Sequence, residues 1–136
     1  MKYLLDTNIC IHALKNDAAI ISRLTATARS EVCVSVISEA ELRTGAAKST
    51  SAAKTLRLLE NFLRPLAILD FASADAVSYA KVRAKLESAG TPIGPMDIWI
   101  GAQALARGLI LVSNNEREFQ RIPGLRVENW ARARSR

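Results

Sequence analysis

Short apolar runs alternate along the chain with longer segments whose apolar residues recur every three or four positions. The runs at residues 2–5, 32–34, 66–69 and 109–112 lack polar alternation, and a fifth at 125–128 follows them. Runs of this kind predict strands buried on both faces, which is the pattern of a parallel sheet. After the first run, Ile9, Ala13 and Leu14 fall at helical spacing, with Thr7 or Asn8 as the expected cap. Asn16-Asp17 ends that helix and begins another, with Ile20, Ile21 and Leu24 on one face. Ser35 is the expected cap of a third helix reaching about 47, and the polar stretch 48–54 is a turn between antiparallel helices. Leu56, Leu59, Phe62 and Leu63 carry a fourth helix that stops before Pro65. Ser73 or Asp75 opens a fifth, running to about 88. Pro95 suits the first position of a sixth, which carries Ile98, Ala102 and Leu105 inward and ends near Gly108. Residues 113–121 read as a loop or a short helix. The alternation predicts an α/β fold: a short central parallel sheet flanked by helices on both faces.

Composition narrows the class. A chain of 136 residues, 49% hydrophobic and 24% charged, fits one soluble domain over 1–136, with 131–136 as a flexible basic tail. No apolar run approaches the roughly 18 residues that cross a bilayer. The longest candidate, 98–112, is broken by Gln103 and Arg107, and Asp6 interrupts the first apolar segment too early for a signal peptide. A cytoplasmic location with no membrane partner is the expectation. Cys10 and Cys33 lack CxxC spacing and read as buried thiols. The net charge of +6 favours a polyanionic partner such as nucleic acid. His12 reads as a surface or subunit contact, Trp99 and Trp130 as core or interface. Lys81, Arg83 and Lys85 read as an exposed helix face.

Three acidic residues break the pattern. Asp6 closes the run Tyr3-Leu4-Leu5, Glu41 shares a helix face with Ile37 and Ala40, and Asp97 opens the helix after Gly94-Pro95. Two unit charges about 4 Å apart repel by roughly 1 to 4 kcal/mol at effective dielectrics of 80 to 20. Gathered carboxylates therefore need a cation or hold protons. In open α/β sheets ligands bind beyond the carboxyl ends of the strands, where Asp6, the Glu41 helix and Ser113-Asn114-Asn115 fall by position. A divalent metal resolves the repulsion, and a carboxylate-held metal points to phosphate chemistry. Glu39 and Arg43 are expected to face solvent, which makes Glu41 the functional glutamate of its helix. Arg117, beside the pocket, is the expected phosphate contact.

Leu5-Asp6-Thr7-Asn8, Glu41-Leu42-x-x-Gly45, Gly94-Pro95-x-Asp97 and Ser113-Asn114-Asn115-x-Arg117-Glu118-Phe119 together resemble the PIN-domain toxins of the VapC type, in order and over nearly the whole chain. The resemblance implies a PIN-like fold and a metal-dependent endoribonuclease that cleaves structured RNA, transfer or ribosomal, to arrest translation. It implies Mg²⁺, with Mn²⁺ as the alternative ion, held by Asp6 and Asp97. Glu41 matches a third acidic member, which would orient or deprotonate the attacking water. Asn115 stands where many PIN domains carry a fourth acid and is the fourth expected catalytic residue, its amide able to hold a metal-bound water, with Glu116 and Glu118 nearby to compensate for the missing charge. Asn114 and Arg117 are the expected substrate contacts. The implied partners are a VapB-type antitoxin, the RNA substrate and a second copy in a homodimer. A competing reading is a nucleic-acid-binding regulatory subunit that acts through its antitoxin with little or no cleavage.

Overall fold

The structure, a computed structural model, describes residues 1–131. All five apolar runs form strands: β1 (Tyr3–Leu5), β2 (Val32–Ser35), β3 (Ala67–Leu69), β4 (Ile110–Val112) and β5 (Val127–Glu128). Every pairing is parallel and the spatial order is β3-β2-β1-β4-β5. β1 is central: Leu5 lies opposite Val34 on one side and Val112 on the other. The chain leaving β1 therefore emerges between the carboxyl ends of β2 and β4. The last strand is shorter than 125–128, because Leu125 turns into the core while its neighbour Arg126 accepts a backbone bond from Leu111.

Helices connect the strands: α1 (Thr7–Leu14), α2 (Ala18–Ala26), α3 (Val36–Ala47), α4 (Ala52–Leu63), α5 (Ser73–Ser88), α6 (Pro95–Ala106) and the single turn α7 (Glu116–Phe119). Successive strand residues face opposite sides of the sheet, so Leu5, Val34 and Val112 join Ile9, Leu59 and Trp130 in one core. Leu4, Cys33 and Leu111 join Leu86, Ile100 and Phe119 in the other. Both faces are covered, as the unbroken apolar runs require.

Helix starts follow local chemistry. Asp6, rather than Thr7 or Asn8, caps α1: its Oδ1 accepts the Ile9 N–H at 2.8 Å. The strand ends at Leu5, so Asp6 is the last extended residue and its short carboxylate reaches back to the first turn. Ser35 caps α3 as expected, accepting from Ile37 at 3.1 Å. At α5 the Asp75 carboxylate accepts the Ala72 N–H at 2.8 Å. Asp75 is buried and also takes two bonds from Arg107, at 2.8 and 3.2 Å, which clasp the start of α5 to the end of α6.

Several expected faces differ from the structure. Ile21 is exposed, since only Ile20 and Leu24 of α2 reach the core. The buried stripe of α3 is Ser38, Leu42 and Ala46, turned toward α1 and α4; Ile37 is half-buried, and Ala40 and Glu41 are exposed. Leu105 is half-buried rather than fully inward. Trp130 is core, its Nε1 donating to Glu128 at 3.0 Å. Half-buried Trp99 stacks on Tyr79 at 3.6 Å with Phe71 edge-on. Cys10 and Cys33 are buried and unpaired. Lys81, Arg83 and Lys85 are exposed. The basic tail read at 131–136 lies outside the described residues beyond Ala131. Among the described residues no helix is long and apolar enough to cross a membrane.

Candidate active site

Asp6 follows the central strand and is only 4% exposed. Burial raises its pKa, against the opposing pull of hydrogen bonds from the Ser113 hydroxyl and the Ile9 N–H and of nearby His12. Asp97 lies in the first turn of α6, where the helix dipole favours a carboxylate. Its pKa is nevertheless pushed up to about 6, first by burial and then by the negative charges of Glu118, Asp6 and Glu41. Four carboxylates thus share one electrostatic neighbourhood at the carboxyl edge of the sheet.

Glu41 enters from α3. It is exposed, so the expectation of a carboxylate on a buried apolar face is overturned. The helix is phased by Leu42 and Ala46, which pack inward and turn Glu41 out beside Asp6 and Asp97. The Thr7 hydroxyl donates to its Oε1 at 2.6 Å and also lies 2.9 Å from the Ser38 hydroxyl. Glu39 instead pairs with Arg43 at 3.0 Å, on a surface that also holds Glu60.

The fourth acid in the group is Glu118, outside the predicted set of site residues except as a neighbour able to compensate for Asn115. It is carried by α7, which docks through buried Phe119 against Gly101 of α6. A Cβ at Gly101 would meet Ile122 Cδ1 at 2.6 Å and the Phe119 ring at 3.5 Å, so glycine lets the two helices approach. The sequence signal for Glu118 was the turn motif around it. A single helical turn has no periodicity from which to assign a face.

Asn115 sits at the start of α7, its backbone N–H bonded to the Ser113 Oγ at 2.9 Å; its side chain makes no capping bond. Asn114 is exposed, and its Nδ2 lies 3.2 Å from His12 Nε2. Arg117 is exposed beside Glu118 and forms no salt bridge among the described residues. Asp6, Asp97, Glu41 and Glu118 thus act on one another electrostatically, with Ser113 bonded to Asp6 and α7 carrying Glu118.

Among the described residues no three His, Cys, Asp or Glu side chains are close enough to ligate one ion directly. The expected arrangement, Asp6 and Asp97 as ligands with Glu41 acting on a water, needs no third direct ligand. The donor chemistry still fits a hard divalent cation: all four groups are carboxylates, and Asp97 is raised by burial first and by the other three charges after it. Small ions of this kind are commonly bound through one or two carboxylates while keeping their own waters.

Fold and pocket together define the class, a PIN-type α/β domain with an acidic site beyond its parallel strands. The PIN domain family model matches residues 3–125. The chain is 42% identical over 130 residues to the tRNA(fMet)-specific endonuclease VapC of Salmonella typhimurium, covering 96% of this chain and 98% of that protein. It is 45% identical over 131 residues to Ribonuclease VapC2 of Haemophilus influenzae, covering 96% and 98%. Among solved structures, the DNA-bound VapBC complex of Salmonella typhimurium matches with a TM-score of 0.91 at 42% identity, over 96% of this chain and 98% of that one. VapBC2 of Rickettsia felis, bound to a promoter DNA fragment, matches at 0.90 and 38% identity, over 96% and 99%. The chain belongs to the PIN-domain family, within its VapC type.

Proposed function

We propose that this chain is a Mg²⁺-dependent endoribonuclease, the toxic member of a toxin–antitoxin pair, cleaving structured RNA in the cytoplasm. One observation carries the reading: Asp97 is pushed up to about 6 by burial and by three neighbouring carboxylates, in a chain of net charge +6. An anionic pocket inside a basic protein suits a cation bound together with a polyanion. Asp6 and Asp97 would hold Mg²⁺, or Mn²⁺ in its place. Bound there, the ion would supply charge neutralisation and Lewis acidity for phosphodiester hydrolysis. Asp6 is fixed by its cap bond to Ile9 and by Ser113. Glu41, which accepts a hydrogen bond from Thr7, would orient a water or take its proton. Glu118 would add the fourth negative charge that Asn115 lacks, and the Asn115 amide would hold a metal-bound water. Asn114 and Arg117 would contact the RNA. Transfer RNA is the favoured substrate class, in line with the activity for which the Salmonella relative is named.

The partner is a VapB-type antitoxin, in line with the VapBC complexes to which the chain is similar, and a homodimer of the chain would form the core of that assembly. An apolar groove of about 370 Å³ suits a protein partner. Ile11, Leu14, Leu42, Ala46 and Leu58 line it, and Glu41 lies at its edge. A second reading, a nucleic-acid-binding subunit with little cleavage, draws on the DNA-bound state of the two similar complexes. Expression of the chain and of its Asp97→Asn variant, followed by sequencing of cellular RNA ends, separates the two. New ends that require Asp97 support the nuclease; identical ends in both samples overturn it.

A further inference from the structure

One polar contact outside the acidic group joins α1 to the loop after β4. His12 Nε2, in the second turn of α1, lies 3.2 Å from Asn114 Nδ2 in the loop after β4. In this amide orientation Nδ2–H donates to the unprotonated ring nitrogen. His12 lies on the helix that Asp6 caps, and Asn114 follows Ser113, which is bonded to Asp6, so the contact lies beside the acidic group. The same loop carries Ser113, bonded to Asp6, and leads into α7 and Glu118.

We propose that His12 is a positioning residue: it holds the Asn114 amide at the pocket mouth, where the pair contacts an RNA strand beside the phosphodiester to be cut. This rests on the nuclease reading only for the identity of the ligand. An exposed asparagine on a loop ordinarily rotates, and ordering it on binding costs affinity. Here α1 supplies a rigid platform, and the contact spans 102 residues of sequence. With Nδ2 engaged, Asn114 Oδ1 is presented to a donor. On an RNA strand the 2′-hydroxyl or a base amino group provides one. Asn114 is exposed where Ser113 is buried, so it is the side chain of that pair that an incoming strand meets.

A double-mutant cycle tests the pair. Fluorescein-labelled total transfer RNA is titrated in EDTA, so that nothing is cut, against the unsubstituted chain, His12→Phe, Asn114→Ala, the double variant and His12→Gln. Each of the first two substitutions is expected to weaken binding about three- to tenfold. The double variant should be no weaker than the worse single one, and His12→Gln should keep most of the affinity. Thermal midpoints, read in parallel, should stay together. Losses that multiply in the double variant, an unchanged His12→Phe, no measurable binding, or affinity lost only with a fallen midpoint each overturn the proposal. Failure of the unsubstituted chain to cleave RNA with Mg²⁺ would count against the nuclease reading instead, since this cycle is read on binding alone.

Discussion

The hydroxyl of Thr7 donates to Glu41 Oε1 at 2.6 Å, tying the residue after Asp6 to the exposed face of α3. Glu41 is therefore fixed at the pocket without being buried, and its position depends on a neighbour 34 residues earlier. Thr7→Val keeps the shape and removes the donor. A hydrogen bond to a charged group contributes about 1.5 to 3 kcal/mol. We expect RNA cleavage to fall roughly tenfold or more, with the thermal midpoint within a few degrees. Single-turnover cleavage alongside calorimetry checks both.

The raised Asp97 makes metal-free stability and cation binding depend on pH in opposite ways. Its folded pKa of about 6 lies above the ordinary 3.8, so the folded state holds the proton more tightly. The contribution of Asp97 to stability then falls as pH rises from about 4 through 6, and cation affinity rises over the same window. A shift of this size corresponds to about 3 kcal/mol if unscreened; for a half-exposed group about 1 kcal/mol is the better figure. Metal-free Asp97→Asn should melt about 4 °C higher than the unsubstituted chain at pH 7.5 and no higher at pH 4. Differential scanning calorimetry in EDTA at both values reads this.

Glu118 is the charged group with the largest effect on Asp97. Glu118→Gln should lower the Asp97 pKa from about 6 and move the onset of Mg²⁺ binding to lower pH. Maximal activity should still drop about ten- to a hundredfold, the usual effect of losing an outer partner of a metal site. Carboxyl chemical shifts of Asp97 followed by NMR across pH 3–8 measure the first effect. Cleavage rates measure the second.

The clasp between Asp75 and Arg107 supports the helix that carries Asp97. Arg107→Ala leaves a buried carboxylate without its cation, which costs about 2 to 3 kcal/mol where one partner still meets water. Arg107 also holds the Asp75 pKa below its usual value. The stability this supplies is present above pH 3.8 and is lost as pH falls through the depressed folded value. Urea unfolding of both chains should differ at pH 7 and converge toward pH 2.

The strands were readable because burial on both faces leaves unbroken apolar runs, as in Tyr3-Leu4-Leu5 and Leu109–Val112, and Pro95 fixed the start of α6. Asp6 and Asp97 were readable because each sits at an element boundary defined by its neighbours. The face of α3 differs from the expected one: buried Ser38 and Ala46 carry little hydrophobic signal, and Ala40 faces solvent while Ile37 packs only partly against the other core. Spacing still chose Glu41 over Glu39, because the two are 200° apart on any helix. Thr7 passed for a cap since its bond partner is distant in sequence. Glu118 lies on one turn docked by a glycine contact that only the tertiary structure reveals.

Calorimetric titration of the purified chain with Mg²⁺ at pH 7.5, repeated on Asp6→Asn and Asp97→Asn, tests the acidic pocket most directly. Saturable binding in the unsubstituted chain that both substitutions abolish is the expected result. Equal heats in all three chains, or none in any, would contradict it.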